Sequence, residues 1–157
     1  MNAAHLYAVL LGGSIAGALD ILFAISFAAY QGATPVRLLQ TVASGLLGSA
    51  AFAGGLPVAA LGLALHFAIS LLWAGLFLAL ALRLPALTLH PLLAGVLFGA
   101  MIFLAMRLLV LPLSAFPYPV SFKPLATVLD LLSHMLLFGV PIAWAAQRAL
   151  LVATAKA

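Results

Sequence analysis

Residues 126–146 read ATVLDLLSHMLLFGVPIAWAA. The stretch is apolar enough to lie in a bilayer, yet it carries Asp130 and His134 one helical turn apart. Spacing i, i+4 puts both side chains on one face of a helix. The protein has one other carboxylate side chain, Asp20, and it too stands inside an apolar run. Ionisable groups in such runs are costly, and their place is between helices or beside a wet cavity.

The rest of the chain has the same character. It has 157 residues, 68% of them hydrophobic and 5% charged, which excludes an ordinary water-soluble domain. The mean hydropathy is +1.36. Several runs exceed the length that a membrane crossing needs. Hydrocarbon offers backbone no partners, so the crossing elements are helices. The fold class read from the sequence is therefore all-α, a single domain over residues 1–157 built as a membrane four-helix bundle. Its partner is the lipid bilayer. The net charge is +4, but the six basic residues form no patch, which argues against nucleic-acid binding. The absence of cysteine excludes disulfides and thiolate metal sites.

Four crossings are expected, at about 6–30, 56–82, 92–111 and 125–147. The first lacks a basic leader and cleavage motif, so it reads as retained. Gly13-x-x-x-Gly17 and Gly95-x-x-x-Gly99 carry the small-residue spacing that lets helix backbones approach. Between the first two crossings, Thr34 reads as an N-cap with Pro35 at the first helical position. The helix expected over 35–53 is amphipathic. Arg37, Gln40, Thr41, Ser44 and Gly48 share a face, with Leu38, Leu39, Val42, Leu46 and Phe52 on the others. That pattern fits a helix in the interface or dipping into the bundle, with a fifth crossing as the competing reading. Gly54-Gly55 is expected to end it, and Gly139 with Pro141 to kink the last crossing. Arg83, Arg148 and Lys156 on one side against Arg37 and Lys123 on the other favour both termini inside.

Counting depth along alternate crossings at about 1.5 Å per residue places Arg107 and Asp130 roughly 8 Å in, and Asp20, His66 and His134 roughly 15 Å in. Five ionisable groups from four crossings should then converge in one half of the bilayer. Arg107 is expected to pair with Asp130, and Asp20 to lie with His66 and His134.

The second half of the chain resembles the YagU-like bacterial inner-membrane proteins. The resemblance rests on Leu65-His66-Phe67-Ala68-Ile69-Ser70, Gly95-x-x-x-Gly99, Val110-Leu111-Pro112-Leu113, Asp130-x-x-x-His134 and Gln147-Arg148, covering about His66 to Arg148. Ser133 departs from an expected Gly, and Asp130 from an expected Glu. The resemblance implies a small multi-pass inner-membrane protein of undefined reaction linked to acid tolerance, with His66, Asp130 and His134 as the matching residues.

Three functions fit these residues. One is a proton-sensitive or small-solute-handling protein, with His66, His134, Asp20 and Asp130 as a titratable relay and Arg107 setting the charge. Another is a haem or metal binder, with His66 and His134 as axial ligands, or with Asp130 added for a divalent ion. The third is an accessory subunit, in which the glycine faces meet a membrane-protein partner or a second copy. Ser44 lacks any nucleophile motif, so no enzyme activity is expected.

Overall fold

The computed structural model describes residues 3–154, with side chains described to residue 151. Lys156, used above to orient the chain, lies outside them. The described residues are all helix and connecting turns. Helix α1 is Ala3–Tyr30 and α2 is Pro35–Leu47, followed by a 3₁₀ turn over Gly48–Ala53. Helix α3 is Gly55–Arg83, and the short α4 is Ala86–Leu89. Helix α5, Pro91–Ala105, runs through a π-helical stretch Met106–Val110 into α6, Leu111–Leu113. Helix α7, Pro124–Leu132, runs through a second π-helical stretch Ser133–Gly139 into α8, Val140–Thr154.

Five helical rods are long and apolar enough to cross a membrane: Ala3–Tyr30, Pro35–Ala53, Gly55–Arg83, Pro91–Leu113 and Pro124–Leu151. The outer faces are apolar, as along the exposed row Leu97, Met101, Leu104 and Leu108. Water-soluble proteins do not leave such a surface uncovered.

Small residues set how the rods meet. Ser70 Oγ donates to the Gly13 carbonyl at 2.6 Å, and His66 Nε2 lies 2.9 Å from the Gly17 carbonyl. These two rungs ascend α1 while descending α3, so the helices are antiparallel. A Cβ on Gly95, Gly99 or Gly139 would meet the backbone of the opposing rod, so α5 and the α7–α8 rod touch main chain to main chain. Both Gly-x-x-x-Gly spacings are thus close crossings, as small residues permit. Phe77, Ile102, Ile142, Ala16 and Ala143 fill the core between the four long rods, and Gln147 Nε2 holds the α3–α5 connection through the Thr88 carbonyl at 2.6 Å.

The amphipathic segment starts and ends where expected, with a bend between. Thr34 does cap α2, its side chain accepting from the Arg37 N–H at 3.2 Å. The axis then bends at Gly48, because Gly48 adopts φ 61°, a conformation that glycine alone takes at little cost, and the 3₁₀ turn that follows runs to the expected stop at Gly54-Gly55. Part of the polar face is turned inward, with Arg37 left exposed. Gln40 and Ser44 are buried, Gln40 Nε2 donating to the Gly55 carbonyl at 3.1 Å, while Leu46 and Leu47 are exposed. A Cβ on Gly62 would strike the Leu39 carbonyl, so α2 crosses α3 at that level. Gln40 is thus satisfied by the neighbouring helix, whereas Ser44 Oγ donates within α2 to the Thr41 carbonyl at 2.7 Å.

Candidate functional site

Two prolines shape the site. Proline has no N–H, and its ring crowds the carbonyl four residues back. For Pro112 and Pro141 those carbonyls belong to Leu108 and Leu137, and each lies within a π-helical stretch. The wider turn relieves the crowding and changes which side chains face inward. One stretch carries Arg107 and the other carries Ser133 and His134. The kink expected at Gly139 and Pro141 is thus a π-helical widening that precedes the proline, a feature frequent at functional sites.

Arg107 reaches across to α7. Its Nη2 lies 2.7 Å from Asp130 Oδ2, and its Nη1 donates to the Ser121 carbonyl at 2.7 Å. The guanidinium is also 5.4 Å from the Phe103 ring centre and 5.6 Å from that of Phe122. One side chain therefore fastens the Ser114–Lys123 loop and α7 to the α5–α6 rod. A second tie comes from the Ala115 N–H, which donates to the Gly45 carbonyl at 2.9 Å.

His134 sits between the two carboxylates. Its Nδ1 is 2.9 Å from the Asp130 main-chain carbonyl, 3.2 Å from Asp130 Oδ1 and 4.0 Å from Asp20 Oδ1. Each of these partners accepts, so Nδ1 carries the proton and Nε2 holds the lone pair of the neutral ring. Phe103 and Phe138 flank the imidazole. Gly99 packs on the His134 main chain, and any side chain there would push the ring off its station.

Asp20 lies near His134, as expected, but takes its hydrogen bond from elsewhere. Its hydrogen-bond donor is Ser133 Oγ, at 2.8 Å, and His134 Nδ1 stands off at 4.0 Å. Ser133 is a site residue that the spacing of ionisable groups does not reveal. Its own spacing from Asp130 carries the signal, since residues three apart share a helix face. His66, expected beside Asp20, is bonded to the Gly17 carbonyl, one turn away on α1. Its Nε2 therefore carries the proton and Nδ1 is left for a further partner, as Nε2 is in His134.

The five expected side chains, Asp20, His66, Arg107, Asp130 and His134, line a single cavity of about 600 Å³. Its other walls come from α2, through Leu38 and Val42, and from the loop, through Phe116 and Val120. The arrangement can hold a proton between two carboxylates and can surround an apolar body with aliphatic and aromatic groups. It is a poorer metal site: His66, His134 and Asp130 do not gather, and no group of three metal-ligating side chains exists among the described residues. Comparison with family models, with curated proteins and with solved structures finds no match for this chain.

Proposed function

We propose that this protein crosses its membrane four times and holds, in one half of the bundle, a proton-responsive cavity for a small solute. The antiparallel run of α1 and α3 supports four crossings. A fifth, by residues 35–53, would leave those two helices parallel. The α2 axis, at 13 residues, is about 20 Å long, short of the roughly 30 Å hydrocarbon layer. Residues 35–53 are then a re-entrant segment that enters and leaves on one side, roofing the cavity. Both termini share the other side, taken as the cytoplasmic face of a bacterial inner membrane.

The observation that carries the functional reading is the station of His134, whose Nδ1 is 3.2 Å from one carboxylate and 4.0 Å from another in a shared cavity. Imidazole is the side chain whose charge changes near neutral pH. Neutral His134 spends its N–H on Asp130. A protonated ring completes an array of anion, cation and anion, and the cavity loses its excess negative charge. A change of that size beside a solute site alters what the site accepts.

Met106 lines the same cavity, so its methyl group reports on the cavity without any ligand. In lipid nanodiscs with ¹³C-methyl methionine, the Met106 signal is expected to move as one step between about pH 5 and 8. His134→Gln should flatten that step. A Met106 signal that ignores pH, or that moves unchanged in His134→Gln, overturns the proposal.

A further inference from the structure

The charges around the cavity do not balance. Arg107 spends its guanidinium on Asp130 and on the Ser121 carbonyl. The His134 N–H donates to the Asp130 main-chain carbonyl at 2.9 Å, with Asp130 Oδ1 3.2 Å from the same nitrogen. Asp20 receives a neutral hydroxyl from Ser133, and the nearest basic nitrogen, His134 Nδ1, is 4.0 Å away with closer acceptors on Asp130. With His134 neutral, one guanidinium faces two carboxylates, and the cavity carries one negative charge in excess. Uncompensated charge among apolar helices is expensive. Beside His66 and the hydroxyls of Thr41, Ser114 and Ser121, the remaining walls are aliphatic and aromatic, including Ile21, Leu65, Phe103 and Phe116. The faces of such rings attract cations.

We infer that the cavity binds a small lipophilic cation, an ammonium head on an apolar body, with the head against Asp20. The inference rests on reading the cavity as a solute site and assigns the charge of its occupant. An anion would meet two carboxylates and an arginine already holding two acceptors. A neutral molecule would leave Asp20 uncompensated. The groups that face Asp20 are Ser133 and His134 from the α7–α8 rod, His66 from α3 across the cavity, and the Arg107–Asp130 pair. Of these, His134 stands closest to a second cation's role. Protonated, it cancels the excess charge that draws the ligand. Proton and ligand then exclude each other, as an exchanger requires.

The ammonium could belong to a free amine or to a lipid headgroup, and the membrane composition separates the two. In nanodiscs of phosphatidylglycerol, which has no ammonium, benzyltrimethylammonium should shift the Met106 methyl saturably at about pH 8, with affinity about tenfold above that of Asp20→Asn. At about pH 5 the same affinity should fall about tenfold. Neopentylbenzene, of the same shape without charge, should bind wild type and Asp20→Asn alike, which also shows that the variant keeps its cavity. Where Asp20→Asn does not fold, Ser133→Ala replaces it. Removing that hydroxyl leaves Asp20 more in need of a cation, and binding should tighten about threefold. If phosphatidylethanolamine added to the disc reproduces the shift, the occupant is a headgroup and the cation site stands. Equal affinity of the cation for wild type and Asp20→Asn, or preference for neopentylbenzene, overturns the inference. The pH step of ligand-free Met106 is independent of these probes, so the cation site and the proton response fail separately.

Discussion

The two halves of the bundle are built from the same four rods and close in opposite ways. In one half, Ala16, Ala74, Ala81, Ala143 and Ala146 let the rods approach, and Phe77, Ile102 and Ile142 fill what is left. In the other, α2 and the loop stand between rods, two helices widen into π turns, and a cavity of about 600 Å³ remains. Lipid tails are as apolar as leucine, so burial alone gives little reason for helices to associate in a membrane; packing and hydrogen bonds supply it. The closed half depends on packing. The open half depends on Arg107, Asp130, Ser133 and His134, whose bonds replace the contacts that the cavity removes. Costly side chains collect where closure fails because they find partners there.

The contrast breaks most severely at Gly99, where the two kinds of contact meet. Gly99→Val would force a side chain into the His134 main chain and separate the rods. We expect a loss of about 3 kcal/mol or more, measured by reversible unfolding in bicelles. A variant as stable as wild type would mean that the rods do not touch there. Arg107→Ala comes next. It strands Asp130 and frees the loop, at a cost of about 3 kcal/mol, and adding Asp130→Ala should return about half of it. A double variant no more stable than the single one removes the ion pair as the reason. The smallest effect sharpens the contrast directly. Ala143→Leu in the closed half should cost about 1–3 kcal/mol by overpacking. Ala24→Leu, against the cavity, should stay within about 0.5 kcal/mol. Equal losses at the two positions would show that both halves are filled.

The convergence of Asp20, His66, Arg107, Asp130 and His134 was legible because charge in an apolar run has few places to go. Depth counting also paired Arg107 with Asp130, since both come from rods with one plausible register. It also placed His134 beside Asp20, where the two lie 4.0 Å apart, but it did not give the hydrogen-bond donor to Asp20, which is Ser133. Position along a rod fixes depth to within a turn, whereas rotation about the rod decides the partner. Here the π turns set that rotation, and they follow from how Pro112 and Pro141 relieve their crowded carbonyls. Ser133 went unread because a hydroxyl in a helix carries no cost that demands explanation.

Composition alone required helices with apolar outer faces and required the ionisable groups to turn inward, since hydrocarbon satisfies neither backbone nor charge. Glycine spacing indicated where rods draw close. Where the 35–53 helix bends, which oxygen each imidazole serves, and that the bundle stays open on one side were decided by tertiary structure. Those outcomes depend on angles at Gly48 and in the π turns. Glycine and proline mark where the angles change, but contacts between distant segments decide which partners they bring together.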